Sequence, residues 1–191
     1  MNGIKEVLED DIIIINDFLT PSYHTDILNQ LDSAQYAWFY QSNITYTNTR
    51  GPDLGDFGFA NWIKNAEGVW TNSFFAPFCY KIKDILEASS IGRVRLDMTC
   101  YNPNAKVHEA HVDLDIPHYS AVYYVNDSDG DTIIYDQTFE GNMNPPVELT
   151  VKRRVEPKAN RLLLFNGKYF HTGTSPSKHK NRIIINSNYF L

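Results

Sequence analysis

His111 and Asp113 stand two positions apart in the segment HVDLD, residues 111–115. Alternate residues of a strand share a face, so at strand spacing these two present an imidazole nitrogen and a carboxylate oxygen to one cavity. A solvated turn accounts for the acids Asp113 and Asp115 but leaves the histidine unexplained. His-x-Asp by itself is short, common and more often structural than functional. The sharper alternative is part of a metal site, and that site needs a third ligand.

Two histidines and one carboxylate on one face of a metal leave three positions open, as in the non-haem Fe(II) oxygenases. The remaining histidines are His24, His108, His118, His171 and His179. His24 falls in an expected helix and reads as a surface residue. His108 lies three residues before His111, on the opposite side of a regular strand. His118 follows Pro117 in an expected loop, and His179 sits between Lys178 and Lys180, where solvation is expected. His171 closes RLLLFNGKYF, a strand ending in a turn, which suits a ligand at the rim of a sheet. It is the preferred third ligand. Eleven residues later Arg182 opens the apolar strand RIIINSNYF. A guanidinium opening a buried strand needs an anionic partner, and its planar fork matches a carboxylate. A structural ion pair would satisfy it too. Asn186 and Asn188 share its strand parity, which gives that strand a polar inward face.

The elements around these residues change character along the chain. The first 92 residues predict a short strand at Ile12–Ile15 and a helix from Pro21, with Thr20 as N-cap. A second helix is predicted over Trp70–Ala88, with Phe74, Phe75, Phe78, Ile82, Ile85 and Leu86 as its apolar stripe. Residues 41–60 are rich in Gly, Asn and Thr and read as a long loop or loose hairpin, a candidate lid. From Arg93 onward come short segments rich in β-branched and aromatic residues, separated by turn signals such as Asn102-Pro103, Asn166-Gly167 and Thr172-Gly173. Helices followed by many short strands predict an α+β chain with a β-sandwich or barrel as its second part.

With 191 residues, one domain is expected. A net charge of −6 disfavours a nucleic-acid binder. Residues 150–182 nevertheless hold nine of the chain's 17 basic residues and only one of its 23 acids. A solvated basic edge is the favoured reading of that segment, and attraction of an anion the sharper one. No leader peptide and no apolar run of membrane-spanning length is recognisable. Cys79 and Cys100 are expected as reduced, buried thiols.

Taken together, the chain resembles the Fe(II)/2-oxoglutarate-dependent dioxygenases, specifically their prolyl-4-hydroxylase-like branch, over about residues 94–190. CYNPNAKVHEAHVD, AVYYVND, RLLLFNGKYFHTGTSP and NRIIINSNYF match the family's motif-bearing segments in order. The resemblance implies a double-stranded β-helix (jelly roll) at residues 93–191, with residues 1–92 as helical and strand support and lid. It implies His111, Asp113 and His171 as Fe(II) ligands and Arg182 as the residue holding the distal carboxylate of 2-oxoglutarate. Tyr124 would add a hydroxyl to that carboxylate and Tyr101 would sit near the other end of the co-substrate. O2 is implied as oxidant, with ascorbate as an optional addition. Lys180 fits the family's usual spacing from the distal histidine better than Arg182 does, whereas Arg182 matches in strand register. Asp131 stands where a second glycine is common. The activity implied is hydroxylation of a C–H bond, foremost of a prolyl residue in a peptide, with release of succinate and CO2. A small-molecule or free amino-acid hydroxylase and a non-enzymatic jelly-roll binding module are the alternatives. A cytoplasmic setting, bacterial or phage, and no nucleic-acid or membrane partner complete the expectation.

Overall fold

The computed structural model describes residues 5–9, 11–44 and 56–191. Its elements in chain order are β1 (Lys5–Glu9), β2 (Ile12–Ile15), α1 (Pro21–Asp32), β3 (Phe39–Gln41), β4 (Gly58–Lys64), α2 (Ala76–Leu86), β5 (Ser90–Cys100), β6 (Tyr119–Tyr124), β7 (Thr132–Thr138), β8 (Val151–Val155), β9 (Arg161–Asn166), β10 (Tyr169–Gly173) and β11 (Asn181–Phe190). The strands form a larger sheet in the order β1-β2-β9-β6-β11-β5-β4-β3 and a smaller one in the order β10-β7-β8. All pairings between these strands are antiparallel. This is the expected jelly roll.

Continuous apolar runs arise because the central strands of the larger sheet are covered on both faces. In β2, Ile12 and Ile14 enter the cluster between the sheets, while Ile15 enters the cluster beneath the helices. The same alternation sends Leu163 and Phe165 of β9 inward and Leu162 and Leu164 outward. Val122 and Tyr124 of β6 face in, and Ala121 and Tyr123 face out. The outer face is covered by Ile27 and Leu31 of α1 and by Phe78, Cys79 and Ile82 of α2. The helices therefore bury their single apolar stripes on one sheet, as expected.

The first helix begins at Pro21 as predicted, but the Thr20 hydroxyl makes no capping hydrogen bond. The second is shorter than predicted. Trp70 bridges Lys64, a single 3-10 turn covers Ser73–Phe75, and the α-helix starts at Ala76. Pro77 explains the late start, because a residue without a backbone N–H is tolerated only in the first turn of an α-helix. Strands β3 and β4 pair as a hairpin. Residues 45–55, the middle of the expected lid, lie outside the described residues.

β8, VKRRV, is an edge of the smaller sheet, and its arginines Arg153 and Arg154 are exposed. Charges on an edge strand discourage pairing with another chain, so the basic segment is largely a solvated edge. Arg182 is its exception, being buried. Cys79 and Cys100 are free thiols, Cys79 buried as expected but Cys100 only half-buried. No helix among the described residues is long and apolar enough to cross a membrane.

Candidate metal and co-substrate site

His111 and His171 face each other across an isolated antiparallel bridge, each donating its backbone N–H to the other's carbonyl at 2.9 Å. His111 thus lies beside β10 rather than within a strand of its own, and its spacing to Asp113 is set by a bend. Their ring centroids are 4.7 Å apart. Each ring is anchored through Nδ1, which lies 3.2 Å from the Glu109 carbonyl in His111 and 3.1 Å from the Tyr169 carbonyl in His171. A carbonyl only accepts, so Nδ1–H must donate. That leaves both Nε2 lone pairs for a ligand role.

Asp113 closes the group. His111 Nε2 lies 3.9 Å from its Oδ1 and His171 Nε2 3.8 Å from its Oδ2. Both separations are below twice a metal–ligand bond of about 2.1 Å, so one ion spans them. Of the described residues, these three form the one group of ligand-type side chains assembled closely enough to hold a metal. The carboxylate is itself held by the Ser120 hydroxyl at 2.7 Å, Asn188 Nδ2 at 2.9 Å, Arg93 Nη2 at 3.0 Å and Asn186 Nδ2 at 3.4 Å.

Burial by itself raises the Asp113 carboxyl, but His171, Arg93, His111 and the Ser120 hydrogen bond outweigh it and hold the group well below its ordinary value. Burial pulls His171 down to about 4, against the attraction of Asp113. Both groups therefore take up protons more readily in the unfolded chain than in the fold. The sign follows from linkage: stability is fully present at neutral pH and falls with acidification. His171 drives the loss between its ordinary 6.5 and about 4, and Asp113 adds to it below 3.8. The thermal midpoint of the metal-free protein should accordingly drop as pH is lowered from 7 to 4. A flat profile measured by circular dichroism would contradict this electrostatic account.

Arg182 lines the same cavity as His111 and His171. It is 4% exposed, and its guanidinium stacks 5.7 Å from the Tyr124 ring centroid. Its Nη2 donates to Thr132 Oγ1 at 2.7 Å. Burial lowers its pKa, with Tyr124 and Asp97 acting in the opposite direction. Its Nε is buried without a hydrogen-bond partner, and so is Thr99 Oγ1, another group lining the cavity. Unsatisfied buried donors of this kind are costly, and a carboxylate is the chemical group that fits them. Gly130 lets the walls close around the arginine: a Cβ there would fall 2.3 Å from the Thr174 carbonyl and 3.1 Å from Arg182 Cδ.

The other expected contacts separate into those at the cavity and those outside it. Asn186 lines it. Asn188 is fully buried and serves Asp113 and Ser120 rather than a co-substrate pocket. Tyr124 sits beside Arg182 as expected, but its hydroxyl donates to Thr132 at 2.7 Å. Tyr101 is 54% exposed and outside the lining. β5 ends at Cys100, and the turn at Asn102-Pro103 leads the chain out. Lys180 is exposed. His24 is half-buried and bonds the Tyr123 hydroxyl at 2.7 Å, so it is not the surface residue expected. His118 is buried in its loop. His108, expected on the far side, lines the cavity, with its ring nitrogens on Asp56 at 2.5 Å and Ser175 at 3.0 Å.

Sequence reasoning missed Arg93, Ser120 and Thr132, and with them Arg95, Asp97 and Thr99 of β5 at the cavity wall. The signal was present in RVRLDMT: polar residues at 93, 95, 97 and 99 alternate with Val94, Leu96 and Met98, which is the period of a strand with one wet face.

Comparison with solved structures gives the architecture a place. A prolyl hydroxylase from Trichoplax adhaerens, solved with a hypoxia-inducible-factor oxygen-degradation-domain peptide, superposes with a TM-score of 0.65 at 16% identity, covering 95% of this chain and 84% of that one. This is the fold of the 2-oxoglutarate/Fe(II) oxygenases, prolyl hydroxylases among them. A 2OG-Fe(II) oxygenase-family oxidoreductase from Burkholderia pseudomallei gives 0.65 at 12% identity over 95% and 86% of the two chains. The epimerase SnoN, in complex with Fe3+, alpha ketoglutarate and nogalamycin RO, gives 0.64 at 12% identity over 95% and 79%. No protein-family model and no curated protein matches the sequence. Within this fold, His111, His171 and the buried Arg182 line one cavity, and Asp113 adjoins the two histidines.

Proposed function

We propose that this protein is an Fe(II)- and 2-oxoglutarate-dependent dioxygenase that hydroxylates a C–H bond, foremost that of a prolyl residue in a peptide. One observation carries the reading: both histidines of a two-histidine, one-carboxylate group line the same cavity as a buried arginine with an unpartnered Nε. Bound Fe(II), with 2-oxoglutarate and O2, supplies the oxidising chemistry and releases succinate and CO2. The chain supplies the rest. His111 and His171 offer lone pairs fixed by their Nδ1 bonds, and Asp113 stays ionised under its four donors. Arg182 and Thr99 offer donors to the distal carboxylate, while Val122 and Ile184 give the cavity an apolar wall that limits water.

Residues 1–191 are read as one domain of this kind, acting in the cytoplasm, where two free thiols stay reduced. The prolyl substrate is supported by the likeness to a peptide-bound prolyl hydroxylase. A small-molecule or free amino-acid substrate is the second reading, supported by the likeness to SnoN with its bound nogalamycin RO. The test is succinate release from 2-oxoglutarate with Fe(II) and ascorbate, alone and over a panel of peptides, amino acids and small molecules. Oxygen incorporation is followed by mass spectrometry. Substrate-stimulated succinate with one added oxygen atom in the product is expected. No succinate under any condition would leave the non-enzymatic binding module as the better account.

A further inference from the structure

The two sheets of the sandwich are unequal, and the excess lies on one side. The apolar cluster between them draws on β2, β9, β6 and β11 of the larger sheet and on β7 and β8 of the smaller. No residue of β5, β4 or β3 belongs to it. The inner face of those three strands therefore runs on from the candidate site without a facing sheet among the described residues. Register names its side chains. Arg95 pairs with Trp62, Asp97 with Ala60 and Thr99 with Gly58, and Ala60 pairs in turn with Phe39. Cross-strand partners share a face, so Arg95, Asp97, Trp62 and Phe39 all lie on the cavity side.

Their chemistry is that of a recognition surface. Arg95 and Asp97 line the cavity with His111. Arg95 Nε bonds Asp97 Oδ1 at 2.7 Å, and the guanidinium stacks 5.6 Å from the Trp62 ring centroid. The fork is thus rigidly oriented, and its terminal nitrogens remain available at a part-open position. Trp62 is 39% exposed and Phe39 59%, so both rings offer apolar surface on the cavity side.

We infer that Arg95, held by Asp97 and Trp62, is a specificity-determining residue that binds the amide carbonyl of an uncharged peptide segment, with Trp62 and Phe39 as the ledge for the chain beyond it. The inference rests on the oxygenase reading of the site and specifies its substrate. Charge decides the class. Arg95 and Asp97 neutralise one another, Arg93 is engaged by Asp113, and Arg182 is assigned to the co-substrate. Among the described residues, no charge on this wall is left to select an ionic substrate. The side-by-side guanidinium and carboxylate match the C=O and N–H of an amide. Length decides between a peptide and a single amino acid. From β5 to β3 the ledge spans two strand spacings, about 10 Å, or roughly three residues of extended chain. A free amino acid at the metal would leave Trp62 and Phe39 untouched.

The test uses the full chain with Fe(II) and 2-oxoglutarate and a randomised pool of capped, uncharged, proline-containing pentapeptides, read by mass spectrometry for peptides that gain one oxygen atom. Free L-proline is run beside the pool. A selected peptide is then taken into kinetics with Arg95→Ala, Trp62→Leu and, on the opposite face of the same hairpin, Tyr40→Ala. Arg95→Ala should raise KM for the peptide about ten- to hundredfold, the range for a hydrogen bond to a charged group. kcat should change far less. Trp62→Leu should raise the same KM by several fold, and Tyr40→Ala should leave it alone. Circular dichroism of each variant separates misfolding from lost recognition. If the wild type consumes 2-oxoglutarate but no peptide gains oxygen, or if free L-proline is used as efficiently, the inference is overturned while the oxygenase reading stands. It is likewise overturned if both variants keep the wild-type KM. If the wild type consumes no 2-oxoglutarate under any condition, it is the oxygenase reading itself that fails.

Discussion

Asp113→Ala should lose Fe(II) affinity by more than about a hundredfold, the largest metal-binding effect expected of any single change in the chain. Removing a group that merely supports a metal ligand costs about 10–100-fold, and Asp113 is both a candidate ligand and the point on which the supports converge. It lies within 3.9 Å of one histidine Nε2 and 3.8 Å of the other. Ser120 and Asn188, both fully buried, would lose their acceptor with it. Each buried donor left without a partner costs roughly 1–3 kcal/mol, so the metal-free variant should also unfold at a lower temperature. Arg93, being part-exposed, turns to water and adds less. Asp113→Asn isolates the charge: it keeps the shape and one oxygen that accepts from two of the four donors, but not the charge that a divalent ion requires. Anaerobic titration calorimetry with Fe(II), and separately with Mn(II), measures the first effect and thermal unfolding the second. Wild-type metal affinity in Asp113→Ala would mean that a metal, if one binds, sits elsewhere.

The parts of this site legible in the sequence were those whose residue type is rare in the place where it occurs. A histidine two residues from an acid and an arginine opening RIIINSNYF stand out because burying them needs a reason. The apolar runs IIII, AVYYV and RLLLF were legible as strands, since a strand covered on both faces has no polar alternation to hide it. What escaped were roles fixed by long-range packing. Asn188 shares strand parity with Arg182, yet it reaches Asp113 because β6 and β11 bring Ser120 opposite Asn188. Tyr101 has the parity to face inward, but the strand ends one residue earlier and the turn decides its direction. His108 was assigned by the alternation of a regular strand. It instead follows an irregular segment tied to β10 through its backbone N–H on the Gly173 carbonyl at 3.0 Å. The start of α2 was misplaced because helical periodicity outweighed the restriction imposed by Pro77.

Arg182→Ala should weaken 2-oxoglutarate binding about ten- to hundredfold while leaving metal binding intact. A hydrogen bond to a charged group is worth about 1.5–3 kcal/mol, and each 1.4 kcal/mol is tenfold in affinity. The loss should lie at the upper end of that range, because the substitution leaves a carboxylate against Val122, Ile184 and Thr132, with Arg95, the other guanidinium of the lining, already paired with Asp97. Metal binding is spared because Arg182 is not among the three converging side chains and reaches no atom of Asp113. The order of damage is therefore the reverse of that for Asp113→Ala, and the pair of variants tells anion clamp from metal cage. Lys180→Ala is the control for the competing cation. Its side chain is exposed, at the start of β11 and outside the cavity lining, whereas Arg182 is buried within it. Sequence spacing favoured Lys180, but strand register brings Arg182 opposite Thr99, whose hydroxyl is another unpartnered group of the cavity. Lys180→Ala should leave the affinity for 2-oxoglutarate unchanged, read by calorimetry with Mn(II) in place of Fe(II) to prevent turnover. A large loss in Lys180→Ala with none in Arg182→Ala would move the carboxylate to the rim of the sheet and undo the assignment of this cavity as its binding site.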